Sequence, residues 1–403
     1  MAAQPVEGEL RRPAPARSLG VPRSSFAPAN PLRIPIEDRP LLDLGGRLAI
    51  PPAIRASGVV PRVSLIQEYT DNVFFVSLDP EDDFVTALAP GVHYRKEEPR
   101  GRIELDYTLE AALYANHPEL NDAVQGQSAL VLGDLDLSDR TSAHLFDSFR
   151  QFLNPTESQI PGILVARVRT TQNFLSMSVA HRLTPLVTPR LGFDQLWQSY
   201  ADSELVDSLT NEAFVGADMQ TTRRSRLEAE VRVRSFDFER GDDTLSSSAT
   251  VGGLYELSRT VVAEGRVGAA YLTAERRTEV VGGAAAHAST KHAVFTLGYE
   301  RDITTSGGLG TVFLSQTAGG SARVRAGRGW SAQGGASYSR FAPVADDGLE
   351  FAVIEVRASL AYAWGPGYVL RLGYVHARQD ITATEELPTI TANRVTLAVI
   401  ASF

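Results

Sequence analysis

From Pro61 to the last residue, apolar and polar side chains alternate one to one over long runs, the two-residue period of β-strands with unlike faces. In GRIELDYTLEAALY, Ile103, Leu105, Tyr107, Leu109, Ala111 and Leu113 share one face, and Arg102, Glu104, Asp106, Thr108 and Glu110 share the other. RLEAEVRVRS sets Leu227, Ala229, Val231 and Val233 against Arg226, Glu228, Glu230, Arg232 and Arg234. IEVRASLAYAW sets Ile354, Val356, Ala358, Leu360, Tyr362 and Trp364 against Glu355, Arg357 and Ser359, and YVLRLGYVH opposes Tyr368, Leu370, Leu372 and Tyr374 to Arg371. These runs extend over about 12 to 15 residues, whereas a strand tilted in a bilayer needs about 9 to 11. One face suits lipid and the other water, so the pattern predicts an all-β fold, a transmembrane antiparallel up-and-down β-barrel.

The breaks between runs alternate in kind. Short turns are expected at EEPRG, SDRT, LTPLVT, TTRRS, LSRT, ERDITT (300–305), GRG and GPG. Longer polar words lie between them: SLDPEDD, ANHPELNDA, residues 151–169, YADSELV, ERGDDT, RRTEVVGGAA (276–285), PVADDGLE and RQDITATEELPTITA. The connection near Ser315 to Ala318 is the least defined. About 18 strands result, with 16 as the alternative, and an even count places both termini on the periplasmic side. The last run, RVTLAVIASF, carries Val395, Leu397, Val399, Ala401 and Phe403 on one face and ends on the aromatic, which resembles the C-terminal assembly signal of outer-membrane barrels. Trp330 and Trp364 adjoin expected short turns and Trp197 an outer end, as girdle residues would.

Residues 1–60 are different. They hold ten of the 22 prolines, from Pro5 to Pro52, and sustain neither ladders nor helices, so they are expected to form an irregular N-terminal tail, periplasmic or folded back as a lumen plug. The barrel is expected over 61–403. Sixty residues are too few for the plug domain of a 22-strand transporter. The opening MAAQPVEGELRRPAPARS lacks the apolar core of an export signal, which leaves export unexplained by the sequence.

Composition removes several functions. No apolar run is long enough for a membrane-spanning helix. A net charge of -9 argues against nucleic acid, and the absence of cysteine excludes disulfides and thiolate sites. The seven histidines (His93, His117, His144, His181, His287, His292 and His376) have no metal-ligand spacing, and GGLG and VGGL precede no helix that would bind phosphate. No nucleophile motif is present. Catalytic, cofactor and metal sites are therefore not expected, and the chain is not expected to be an enzyme.

Chemistry is expected in the lumen. Arg102, Glu104, Asp106, Glu110, Arg226, Glu228, Glu230, Arg232, Arg234, Arg266, Arg323, Arg325, Glu355, Arg357 and Arg371 are the lumen-lining candidates, with Arg190, Asp194 and Glu264 beside them. They either form ion pairs that stiffen the wall or gather arginines into a constriction for anionic or hydroxyl-rich cargo.

RVSLIQEYTDNVFF (62–75), DFVTALAPGVHYRKEEPRGRIELDY (83–107) and HRLTPLVTPRLGF (181–193) resemble the outer-membrane β-barrel porin family associated with bacterial exopolysaccharide and exosortase systems. Tyr69, Asp71 and Asn72, followed by Leu88, Pro90 and Gly91, carry most of the likeness, which covers about residues 61–403. The resemblance implies passage of secreted polysaccharide across the outer membrane, with a small-solute diffusion porin and a structural or adhesion barrel as alternatives. The expected partners are outer-membrane lipid, the barrel assembly machinery and periplasmic polysaccharide-export components.

Overall fold

The computed structural model describes residues 58–153, 167–202, 204–305, 308–327, 329–345, 349–365, 367–381 and 389–403. The expected tail falls outside these, apart from its last residues. Alternation produces eighteen strands: β1 (Gly58–Thr70), β2 (Asp83–Glu98), β3 (Gly101–Tyr114), β4 (Asp122–Ser138), β5 (Thr141–Phe152), β6 (Thr170–His181), β7 (Val187–Tyr200), β8 (Ser208–Thr222) and β9 (Ser225–Phe238). They continue as β10 (Thr244–Glu256), β11 (Val261–Leu272), β12 (Arg277–Ser289), β13 (Ala293–Thr305), β14 (Val312–Ala326), β15 (Trp330–Pro343), β16 (Phe351–Ala363), β17 (Tyr368–Ile381) and β18 (Ile390–Ser402). Each pairs antiparallel with its sequence neighbours, and β1 closes the sheet on β18, with Arg62 opposite Ser402 and Thr70 opposite Arg394. The fold is a closed 18-stranded antiparallel barrel. Closure leaves no sheet edge, which a structure surrounded by hydrocarbon requires.

Connections after even-numbered strands are tight, as at 99–100, 139–140, 223–224 and 290–292, and this turn end also holds both ends of the described chain. Connections after odd-numbered strands form the loop end, including 71–82, 115–121 and 344–350. β1 starts at Gly58, ahead of the expected boundary. Pro61 is tolerated there because it lies beyond the last β1–β18 residue pair, and its carbonyl accepts the Phe403 amide at 3.0 Å.

Three expected breaks are corrected. RRTEVVGGAA is not a loop: β12 begins at Arg277 and runs through it. ERDITT is the loop end of β13 rather than a turn, the turn being at 290–292, and Ser315 to Ala318 lie inside β14. Glycines and charges produced the misreading. Gly283 serves close strand approach, since a Cβ there would lie 2.7 Å from the Tyr299 carbonyl oxygen. Glu300 and Asp302 are buried in the interior.

The outer surface is apolar: Leu65, Leu88, Leu113, Leu191, Val215, Val231, Val267, Val280, Leu297 and Leu372 are exposed on successive parts of the wall. Among the described residues no helix is long and apolar enough to cross a membrane. Trp330 packs against Tyr362 and Trp364 stacks on Tyr368, forming an exposed aromatic cluster at the turn end. Val395, Leu397, Val399, Ala401 and Phe403 share the outward face of β18, and Phe403 is 72% exposed.

Candidate functional site

Residues directly opposite across a ladder lie on the same face, so register carries the inward side from strand to strand. Arg102, Glu104, Asp106 and Glu110 of β3 lie opposite in face to exposed Ile103, Leu105 and Tyr107, and Arg226, Glu228, Glu230, Arg232 and Arg234 of β9 to exposed Leu227, Val231 and Val233. Arg266 pairs with Gly252 and Gly283, Arg323 with Gln333, Arg325 with Ser331, Arg357 with Gly335 and Arg371 with Ala361. Glu355 shares its face with Arg357. All of these positions face the interior. The outward alternative would cost about 2–4 kcal/mol for each arginine at mid-membrane.

Depth divides the set. In the middle of the barrel the charges are buried and paired, as charges withdrawn from water must be. Arg62, absent from the sequence-based candidates, reaches Asp106 at 2.5 Å, and His93 lies 3.3 Å from the same carboxylate. Arg232 contacts Glu230 at 2.5 Å and Glu212 at 3.1 Å, and Arg234 contacts Glu212 at 2.5 Å. Arg266 pairs with Glu300; nearer the turn end, half-buried Arg190 pairs with Glu228. Toward the turn end the interior opens to water. Arg102, bonded to Asp134 at 3.0 Å, is partly exposed, as is Arg357, which pairs with Glu355; Arg323 and Arg325 are exposed. Arg371, in contrast, is buried, 3.4 Å from the Ser359 hydroxyl.

The strongest departure from a plain barrel is at β13 and β14. The β12–β13 ladder ends at Gly282 opposite Arg301, although both strands continue beyond it. Past that point the alternation breaks: Asp302 and Ile303 are both buried, and so are Val312, Phe313, Leu314 and Ser315 in succession. The reason is that the hairpin tip steps inside the wall. Ile303, Val312 and Leu314 pack on Phe236 of β9, Leu272 of β11 and Val281 of β12. Phe313 packs edge-on against Phe341 and Phe351 of β15 and β16. Arg234 bonds the Ile303 carbonyl and lies 3.3 Å from Asp302, linking β9 to β13 across the interior. The Val206 amide donates to the Gly308 carbonyl at 2.8 Å, so the tip rests on the β7–β8 loop. Gly308 and Gly310 have φ of +74° and +65°, and they lie against Leu205 and Val206 where a side chain would crowd.

This inward hairpin and its acceptors Glu212, Glu300 and Asp302 were missed by sequence reasoning. The available signal was TVFLSQ, whose adjacent apolar residues Val312, Phe313 and Leu314 break the period of two.

The Tyr69-Asp71-Asn72 motif has a structural basis at the barrel seam. Buried Asn72 donates to the Thr391 carbonyl at 2.9 Å and the Val76 carbonyl at 2.6 Å, while Asp71 accepts from the Asn393 amide at 2.7 Å and side chain at 2.6 Å. The motif therefore fastens the first loop to the start of β18. Nearby, His117 lies 2.8 Å from both Glu81 and Asp83 and edge-on to Phe74; the two carboxylates, Glu81 foremost, raise its pKa above the ordinary histidine value.

No family model matches the chain, and no curated protein does. Among solved structures it is similar to OpdO of Pseudomonas aeruginosa (13% identity, TM-score 0.46, covering 86% of this chain and 97% of that one). It is also similar to OccAB4 of Acinetobacter baumannii (11%, 0.43, 87% and 100%) and to OccK2 (OpdF) of Pseudomonas aeruginosa, solved with glucuronate (12%, 0.46, 86% and 98%). Likenesses this distant carry no inference about solute or mechanism, which must come from the residues themselves.

Proposed function

We propose that the protein is a bacterial outer-membrane channel for small hydrophilic solutes, with a preference for anions and with both termini on the periplasmic side. A single observation supports this best: a closed barrel with an apolar outside has a charged inside whose arginines, Arg102, Arg323, Arg325 and Arg357, remain in contact with water at the turn end. A guanidinium in such a vestibule attracts anions without a desolvation cost, and buried ion pairs farther in fix the wall. Polymer passage, implied by the resemblance, has less support. Side chains bridge β9 to β13 and a hairpin tip occupies the loop end, an interior better fitted to a small solute than to a polysaccharide chain.

Reconstituted in a planar bilayer, the protein should conduct ions with an anion-favouring reversal potential. Replacing Arg323, Arg325 and Arg357 together with glutamate should move that potential toward cations. A silent bilayer, or a potential indifferent to the triple reversal, overturns the reading. Outward Phe403 and the apolar face of β18 would present the chain to the barrel assembly machinery, and deleting Phe403 should lower the heat-modifiable folded form while leaving export intact.

A further inference from the structure

The inner wall is covered unevenly. Ser64 of β1 and Ser337 of β15 both face the lumen, six and seven residues from the turn-end starts of their strands. Ser337 is half-exposed, as are its inward neighbours Gly335, Glu355 and Arg357, so water reaches that side of the bore. Ser64 is 0% exposed, and its cross-strand partners Ala89 and Ile400 are 1% exposed; Val369, opposite Ile400, is buried as well. An 18-stranded wall is too wide for its own side chains to fill, and a serine or alanine is too short to shield itself. Something lies on this part of the wall.

The described elements account for only part of the cover. Val73, from the first loop, packs with Ile66, Ala87 and Ala112 toward the loop end. Nearer the turn end, Val369 and Ile400 belong to no apolar cluster among the described residues. The Ser64 hydroxyl has no hydrogen-bond partner among them either, although it is fully buried. The neighbouring charges are taken up by one another, Arg62 by Asp106 and Arg394 by Glu68 at 3.8 Å, so the patch between them is small and apolar apart from that hydroxyl. Such a patch accepts an extended apolar segment whose backbone offers a partner to the serine.

The chain itself supplies one. β1 opens at Gly58 on the turn end, so residues 1–57 reach the barrel beside this patch. Ser64 lies about 20 Å up β1, and residues 41–57, if extended, span about 55 Å. Their sequence, LLDLGGRLAIPPAIRAS, offers Leu44, Leu48, Ile50 and Ile54 to Val369 and Ile400, and Pro51 and Pro52 keep its backbone out of a helix. We propose that residues 41–57 turn back at Gly58 and lie in the lumen along β18, β1 and β2, as a strap that leaves the β14–β16 side open to solute. The strap requires only the closed barrel, whereas the confinement of solute to one side rests on the channel reading.

Single cysteines test the strap, since the chain has none of its own. The full chain in nanodiscs, carrying Ser64→Cys or Ser337→Cys, is treated with a charged methanethiosulfonate and followed by mass spectrometry. Ser64→Cys should react severalfold more slowly than Ser337→Cys. Adding Leu44→Asp, Leu48→Asp and Ile50→Asp together should raise the Ser64→Cys rate severalfold, leave that of Ser337→Cys unchanged and increase conductance, with heat-modifiability showing that each variant is folded. Oxidation should also join Ser64→Cys to a second cysteine placed at one or more positions from 41 to 57. Equal rates in the intact chain, a Ser64→Cys that stays protected beside the aspartates, or no pairing anywhere along 41–57 overturns the proposal, the second by assigning the cover to the loops. A barrel that conducts while Ser64→Cys reacts freely in the intact chain refutes the strap alone, and a strap found in a barrel that never conducts refutes the channel alone.

Discussion

The β8–β9 and β13–β14 hairpins lie in the same sheet and have strands of similar length, yet they treat the lumen differently. On β9 every second residue is exposed from Leu227 to Val233, and the residues between face inward, so the strand is wall throughout. β14 begins with four consecutive buried residues, from Val312 to Ser315, because both faces of its loop end are covered by protein. The first hairpin is stabilised by a division between an apolar outer face and an inner face whose charges, Glu212, Glu230, Arg232 and Arg234, pair with one another. The second has to be stabilised as a soluble core is, by apolar packing on both sides and by full pairing of the charges it carries inward, Glu300 and Asp302. Where the alternation fails, the hairpin tip adds an apolar core inside the wall.

Charge removal should break this comparison most strongly. Asp302→Ala leaves Arg232 and Arg234 buried with one acceptor fewer, and should destabilise the folded barrel by about 3–5 kcal/mol in urea titration, whereas Arg323→Ala, in the exposed vestibule, should stay within about 0.5 kcal/mol. Equal effects would mean that Asp302 is not held in a dry interior. Packing comes next. Leu272→Ala, under the hairpin, should cost about 2–4 kcal/mol, and Val231→Ala, on the lipid face of β9, clearly less. At the seam, Asn72→Ala removes a buried side chain's bonds to the Val76 and Thr391 carbonyls and should cost about 1–3 kcal/mol, read as a lower melting point of the folded band in heat-modifiability gels.

The smallest effect is the pH response of the loop end. Because the folded-state pKa of His117 is raised, its pairing with Glu81 and Asp83 stabilises the loops fully below the ordinary value of 6.5 and is lost as pH rises through the elevated value. Amide exchange in residues 115–121 should therefore accelerate above pH 6.5 beyond its intrinsic pH dependence, and His117→Gln should abolish that excess. An excess unchanged in the variant would assign the response to another group.

The regular wall was legible because alternation at β3, β9, β16, β17 and β18 is a direct record of a two-solvent environment, and most tight turns showed themselves by glycine, proline and charge. The same signals misled between residues 276 and 318. In-strand glycines such as Gly283 serve close strand contact, and the acidic side chains in ERDITT, Glu300 and Asp302, meet arginines two and four strands away rather than water. The apolar cluster in TVFLSQ departs from strand period, but a sequence does not say which two surfaces will cover it. Arg62 escaped notice because its partner, Asp106, lies two strands away, and the Asp71-Asn72 motif was visible while its ties to Thr391 and Asn393, at the other end of the chain, were not.

Single-channel conductance of the intact chain and of a variant in which residues 303–314 are replaced by Asn-Gly is the most direct test of the inward hairpin. The turn chosen is the one that closes antiparallel strands most readily. If the hairpin forms the constriction, the variant should still give a heat-modifiable barrel, and its conductance should rise severalfold with weakened ion selectivity. A folded variant with the conductance and selectivity of the intact chain would show that the hairpin does not limit the pore, and would contradict the account.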